Sequence, residues 1–330
     1  MSLLRLPPPS DAVPPGGRRR GVTLLSGFLG SGKTTLLRRE LSRSGRNAPA
    51  VILNDFGRTM VDDVLLTSGG EPPTLVVGGC ACCTRRDDLA RAMTDLLDAE
   101  QRGVAARRDH VVIETTGLAD PAPIAFTLAN DPVLKHHYTL ARVCVTVDAL
   151  TGLDSLERHE VAFRQLVAAD EVIVTKADLA SANDVEHLAR RLHELNPSAR
   201  VSVTANGELL HTEEAVSPRT AAVFGPTAQA PHNAGISTLE LVTDDPVDWQ
   251  SFTVWLTLLL HNHGTDVLRV KGVLDVRDVG PVALNGVQHI VHPPEHLSRQ
   301  VHSGTRLVFI VRNIDPNVLE ASLHTFLSIA

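Results

Sequence analysis

A doubly wound, mostly parallel α/β sheet followed by a smaller α+β domain is the architecture this 330-residue chain predicts. Three observations carry that expectation. Short apolar runs alternate with segments of helical spacing between residues 21 and 205, the pattern of repeated strand–helix units. The first run leads through a glycine-rich turn, GFLGSGKT, into a helix. Beyond residue 235 the order changes to one strand, a helix, three strands and a helix, which suits a separate small domain. The length itself favours two domains.

In order, GVTLLSG (21–27) reads as a buried strand, and GKTTLLRRELSRSG as a helix that stops at a glycine. AVILND (50–55) and TLVVGG (74–79) are apolar strands, and TRRDDLARAMTDLLDAEQRG (84–103) is an amphipathic helix. HVVIETTG (110–117), ARVCVTVDA (141–149), EVIVTK (171–176) and RVSVTA (200–205) continue the strand series. Residues 206–235 are rich in Ala, Pro, Thr and Gly without a sustained period, and read as a linker. STLELV then resumes as a strand and DWQSFTVWLTLLLHNHG as a helix. VLRVKGVLDVRD, PVALNGVQHIVH and RLVFIVRN read as three strands, and DPNVLEASLHTFLSIA as a closing helix. The expected divisions are a disordered leader (1–20), a nucleotide domain (21–205), the linker (206–235) and an α+β domain (236–330).

Composition limits the function classes. Hydrophobic residues make up 43% and aromatic residues only 3%, so the core must be built mainly of Leu, Val, Ile and Ala. A formal charge of -7 argues against broad binding to nucleic acid or to an anionic membrane. The Pro-rich start lacks the apolar stretch of a signal peptide, and VWLTLLL is far too short to span a bilayer. A cytoplasmic protein with reduced thiols is therefore expected. Only four of the 31 basic residues are lysine: Lys33, Lys135, Lys176 and Lys271. A lysine kept against such a bias can mark a position where arginine does not fit.

GFLGSGKT fits G-x-x-x-x-G-K-S/T between a strand and a helix, the P-loop context. Gly27, Gly30, Ser31, Gly32, Lys33, Thr34 and Thr35 are the candidate phosphate and Mg²⁺ residues. Backbone N–H groups and the helix N-terminus would face the phosphates, Lys33 would reach the outer ones, and the Thr34 hydroxyl would bind Mg²⁺. VIVTKADL places Thr175, Lys176 and Asp178 at the end of a later strand. In an Asn/Thr-Lys-x-Asp pattern the aspartate accepts from guanine N1 and N2, a donor pair adenine lacks, and the lysine stem covers the base. A surface turn with an unrelated Lys and Asp is the alternative. IETTGLADP follows another strand, where ligands bind beyond the carboxyl ends of parallel strands. Glu114 is a candidate for Mg²⁺ or its water, and the Gly117 N–H for the γ-phosphate; Glu114 as a simple turn cap is the competing reading.

Three of the four cysteines, Cys80, Cys82 and Cys83, sit in VVGGCACCTRR after a further strand. One cluster without a partner pair is not a zinc finger. Adjacent Cys82 and Cys83 would strain as a disulfide, and a nucleophile needs one thiol and a base. Three thiolates with an open position suit Zn²⁺ or another borderline metal, the alternative being a reduced, metal-free cluster. Cys144 lies inside an apolar run and reads as a buried small hydrophobe. The C-terminal histidines, among them His261, His263, His289, His292, His296 and His302, fit ordinary surface positions better than a metal site.

Together GFLGSGKTT, NDFGRTMVDDVLL, GGCACC, IETTGLADPAP, VDA, TKADL and LRVKGVLDV resemble the CobW-like family of P-loop GTPases, related to the hydrogenase and urease nickel-insertion GTPases. The resemblance runs from about residue 21 to the C-terminus, in order. It implies a slow GTPase with GTP or GDP and Mg²⁺, and zinc or cobalt at the Cys-x-Cys-Cys segment. It further implies delivery of the metal to a client metalloprotein or a metal-cofactor pathway enzyme, with a homo-oligomer as an open option. Asp55 joins Thr34 and Glu114 as an expected Mg²⁺ residue, and the segment from Asn54 to Asp62 as a responder to the γ-phosphate. Where the family usually has Asn-Glu-Phe-Gly-Glu this chain has Asn54-Asp55-Phe56-Gly57-Arg58, placing a cation where an acidic ligand is expected. Two rival readings remain: a nucleotide-gated regulatory or scaffold protein with a structural metal, and an ATP-dependent kinase or synthetase on the same sheet.

Overall fold

A computed structural model describes residues 19–44, 48–54, 75–77, 86–206, 208–213, 235–288, 290–292, 294–297 and 304–328. Asp55, Arg58, Asp62, Cys80, Cys82 and Cys83 lie outside the described residues, as do His289 and His302. The chain divides into two compact units, Met1–Ala189 with Val201–Glu213, and Arg190–Arg200 with Glu214–Ala330.

The first unit is built on strands β1 (Arg20–Gly27), β2 (Ala50–Asn54), β3 (Leu75–Val77), β4 (His110–Thr115), β5 (Tyr138–Asp148), β6 (Glu171–Thr175), β7 (Arg200–Ala205) and β8 (Glu208–Glu213). They form one eight-stranded sheet in the order β3-β2-β4-β1-β5-β6-β7-β8. The pairs β2–β3, β2–β4, β1–β4, β1–β5 and β5–β6 are all parallel. Helices α1 (Lys33–Ser44), α2 (Arg86–Gln101), α3 (Pro121–Asn130), α4 (Leu134–His137), α5 (Gly152–Arg158), α6 (Glu160–Ala168) and α7 (Ala182–Leu195) connect them. A sheet covered on both faces needs continuous apolar strands, and all eight residues of β1 are buried. On one face Leu36 and Leu37 of α1 pack with Leu25, Val51, Leu53, Val112, Ile173 and Cys144. Cys144 is fully buried, as expected, and burial pushes its thiol pKa up to about 12, against a smaller opposing pull from Arg142.

The sequence places residue 206 onward in a linker, but Glu208–Glu213 pairs antiparallel with β7. Leu209 packs against the core whereas Leu210 is exposed, so this last strand carries no apolar run. At the opposite end of the strands a buried ion pair ties β1 to α2. Arg20 Nη1 donates to both carboxylate oxygens of Glu100 at 2.7 and 2.8 Å, and Nη2 donates to the Tyr138 hydroxyl at 2.8 Å. Side-chain exposure is 5% for Arg20 and 7% for Glu100. Removing one partner strands a buried charge, so Glu100→Ala should lose about 3–5 kcal/mol of stability in urea denaturation. A loss near zero would mean that water replaces the carboxylate without cost.

The second unit holds β9 (Ile236–Thr243), β10 (Val267–Val276), β11 (Gly280–Val287), β12 (Ile290–Val291), β13 (Glu295–His296) and β14 (Thr305–Arg312), with α8 (Trp249–His263) and α9 (Pro316–Ser328). Its sheet runs β12-β11-β10-β14-β9, with β13 on β11, and its pairs are antiparallel. Phe252, Trp255, Leu256 and Leu259 of α8 and Leu319 and Leu323 of α9 pack with Val270, Leu274, Leu307 and Phe309 from the strands. The run PVALNGVQHIVH, expected as one strand, is instead a hairpin. Gln288 adopts a φ of 53°, which reverses the chain so that β12 folds back on β11. Among the described residues, no helix is long and apolar enough to cross a membrane.

Candidate nucleotide site

Because β1, β2, β4, β5 and β6 run in parallel, their carboxyl ends share one edge. Gly27, Asn54, Thr115, Asp148 and Thr175 are the last residues of those strands, and ligands bind beyond such ends. The central position of β1, between β4 and β5, sets the Gly27–Gly32 turn in the middle of that edge.

The turn is held from inside. Lys33 Nζ donates to the carbonyls of Gly27 and Phe28 at 2.8 and 3.2 Å, and Ser31 Oγ donates to Phe28 O at 2.7 Å. Ser31 Oγ also lies 2.7 Å from Thr146 Oγ1. At Gly27, φ is 139° and a Cβ would meet Thr146 Oγ1 at 2.3 Å, so both conformation and space require glycine. The Phe28 ring stacks on His159, with centroids 4.5 Å apart. Thr35 is exposed on the first turn of α1.

Thr34 Oγ1 donates to Glu114 Oε1 at 2.5 Å, so the two residues read separately as Mg²⁺ candidates meet at the head of α1. Glu114 is 6% exposed. A hydroxyl and a carboxylate side by side are hard oxygen donors, a set that fits Mg²⁺. Asp55, the third expected donor, lies outside the described residues. Gly117 packs directly on the phosphate loop, since a Cβ there would come within 2.8 Å of the Leu29 nitrogen.

Thr175 Oγ1 donates to the Ser31 carbonyl at 2.7 Å, so the threonine that replaces the more usual asparagine ties β6 to the phosphate loop. Lys176 has a φ of 58° and pairs with Asp148, whose other oxygen accepts from Leu150 N at 2.7 Å. Asp178 stands exposed on the short 3₁₀ turn Ala177–Leu179, and its Oδ1 accepts from Asn206 N at 3.0 Å.

Sequence reasoning quotes Asp148 only within the VDA motif and gives it no role, and it does not single out Thr146, Asn206 or Gln165. For Asp148 a signal exists: a carboxylate ending the apolar run VCVTV, at the ligand edge. Asn206 follows a strand that ends on the same side. Gln165 gives no such signal, because a glutamine in a helix reads as solvent-facing until burial is known. It is fully buried, and its Nε2 donates to the carbonyls of Gly117 and Ala119.

A parallel sheet with a glycine-rich turn, a buried lysine and a Thr–Glu pair at the head of the following helix defines a P-loop NTPase. Residues 21–203 match the family described as CobW/HypB/UreG, nucleotide-binding domain, and residues 236–327 match the cobalamin synthesis protein cobW C-terminal domain. The chain belongs to the CobW/HypB/UreG family of P-loop NTPases. It is 35% identical over 264 residues to the zinc chaperone YjiA of Escherichia coli, covering 77% of this chain and 81% of that protein. Over 196 residues it is 33% identical to the zinc-regulated GTPase metalloprotein activator 1 of Schizosaccharomyces pombe, covering 57% of this chain and 46% of that one. The crystal structure of Zn(II)-bound YjiA GTPase from E. coli superposes with a TM-score of 0.67 at 26% identity, covering 94% of this chain and 99% of that chain.

Proposed function

We propose that this protein is a GTP-hydrolysing metallochaperone that delivers a transition metal, with zinc as the leading candidate and cobalt next, to a client metalloprotein or metal-cofactor enzyme. The meeting of Thr34 and Glu114 at the phosphate loop is the observation that carries the reading. It supports a hydrolytic nucleotide site on the sheet edge, and the named relatives are zinc chaperones or zinc-regulated GTPases.

In this reading the N–H groups of residues 27–32 and the head of α1 receive the phosphates, and Lys33 leaves its loop carbonyls for the outer ones. Thr34 and Glu114 would hold Mg²⁺, which would supply neutralisation of the charge on the transferred phosphoryl group. Glu114 also orients the attacking water. Gly117 presents its N–H to the terminal phosphate, and Asp178 accepts from guanine N1 and N2 while Asp148 steadies Lys176 beside the base. Cys80, Cys82 and Cys83 carry the metal as cargo, which requires a reducing compartment, and we place the protein in the cytoplasm.

Nucleotide state is expected to set metal affinity. Zinc dissociation constants measured by chelator competition should differ by at least about tenfold between the GDP-bound protein and the protein with a non-hydrolysable GTP analogue, a coupling of roughly 1.4 kcal/mol. Equal constants for zinc and cobalt in both states would sink the coupling.

A further inference from the structure

Helix α6 touches the nucleotide site at two places. His159, its N-cap residue, stacks on Phe28 of the phosphate loop. Arg164 and Gln165 reach the loop between β4 and α3 instead. Arg164 Nη1 donates to Asp120 Oδ2 at 3.4 Å, and Gln165 Nε2 donates to Gly117 O at 3.1 Å and to Ala119 O at 2.9 Å.

Gln165 is unusual for its place. Its neighbours on the buried face of α6 are Ala162, Phe163, Leu166, Val167 and Ala168, yet Gln165 is itself 0% exposed. Its Oε1 is buried with no hydrogen-bond partner among the described residues. A leucine or methionine would fill this apolar face without burying an amide, so packing alone does not account for the residue. The donating half of the amide, by contrast, is fully engaged, because Nε2 grips two carbonyls of one loop.

That loop contains Gly117, whose backbone lies against Leu29 of the phosphate turn. Ala119 N closes a turn onto Thr116 O at 3.0 Å, and Asp120 Oδ1 caps α3 through Ala122 N at 2.9 Å. The glycine thus sits between two fixed points and has no side chain of its own to anchor it. The two Gln165 bonds fix the peptide units that follow Gly117 and Ala119, which limits the backbone rotation that would turn the Gly117 N–H. Gln165 also lines a small recess of about 20 Å³ behind the phosphate turn with Phe28, Leu29, Ser31, Thr146 and Asp148, so the amide lies directly against the turn it would help to position.

We propose that Gln165 is a positioning residue for GTP hydrolysis: by holding the Gly117 and Ala119 carbonyls it aims the Gly117 N–H at the terminal phosphate. The inference rests on the GTPase reading and on Gly117 as the γ-phosphate contact. A misplacement of about 1 Å in such a group can cost on the order of a hundredfold in rate.

The test uses the full chain. Gln165→Met conserves volume and removes the donor, and cores tolerate such swaps. The expected result is a kcat for GTP lower by roughly tenfold to a hundredfold, with thermal unfolding cooperative and GDP affinity unchanged. Gln165→Glu gives a second readout, since a carboxyl donates to a carbonyl only when protonated. Its rate, taken relative to wild type at each pH because Asp120, Asp148, His159, Glu160 and Arg164 surround the site in both proteins, should recover as pH falls. The methionine variant should show no recovery. Equal kcat in a folded methionine variant overturns the proposal, as does a loss of GDP affinity that matches the loss of kcat/KM. If the wild-type protein does not turn over GTP, the functional reading falls and this proposal with it. Turnover at equal rates by both proteins removes this proposal alone.

Discussion

Replacing Cys80, Cys82 and Cys83 together by serine is expected to abolish tight zinc binding. The ligating species is the thiolate, and a serine hydroxyl neither ionises near neutral pH nor offers a soft donor. Apparent zinc-binding energies at four-ligand structural sites are about 10–16 kcal/mol at pH 7. Even a fraction of that, removed with three ligands at once, corresponds to a loss of at least about a thousandfold in affinity. GTP affinity should stay within about twofold, because the substitutions touch none of the residues of the phosphate turn or of the Lys176–Asp178 segment. Competition against a chromophoric chelator reads the first quantity and nucleotide titration the second. A triple variant that still holds zinc as tightly as wild type would transfer the cargo role to other ligands.

Asp178→Asn is expected to lower affinity for GDP by about two to four orders of magnitude, because a site built to accept from a donor pair rejects a ligand it can no longer match. The carboxamide presents one donor and one acceptor, which suits the N1–H and 2-oxo group of xanthine. Affinity for xanthosine diphosphate should therefore rise while that for ADP stays low. The bond from Asn206 N needs only an acceptor at Oδ1, which asparagine keeps, so the variant is expected to fold normally. Retention of full GDP affinity would show that base selection lies elsewhere, and preference for ADP would reopen the ATP-dependent alternative.

Both predictions start from motifs that are legible in the sequence, and the reason is geometric. A P-loop places its chemistry within eight consecutive residues, Gly27 to Thr34, so spacing alone reports it. The alternation that announces the parallel sheet is equally local. Other features need the third dimension. Thr34 and Glu114 are 80 residues apart, and only the parallel pairing of β1 with β4 brings them together. The Arg20–Glu100 pair spans the same separation and looks in sequence like two surface charges. The strand Glu208–Glu213 escapes a reading by pattern because Leu209 and Leu210 are its only apolar residues, set between Glu208 and the polar His211, Thr212 and Glu213, which leaves neither an apolar run nor an alternation to detect. The hairpin after Val287 escapes it because a left-handed turn at Gln288 lacks the glycine or asparagine that usually announces one.

The order of strands has a consequence for how the two ends of the nucleotide unit open. β1 lies inside the sheet, flanked by β4 and β5, and every one of its residues is buried. Amide protons there should exchange only when the whole unit unfolds, so the phosphate turn is rooted in its slowest-exchanging strand. Among the described residues, β3 is the outermost strand on its side, three residues long and paired to β2 alone. Its amides should exchange by local release at a small fraction of the global unfolding free energy. Cys80 follows Val77 by three positions in the chain. If Cys80, Cys82 and Cys83 carry the metal as proposed, releasing that one short strand would free the thiols while the strand that roots the phosphate turn stays in place.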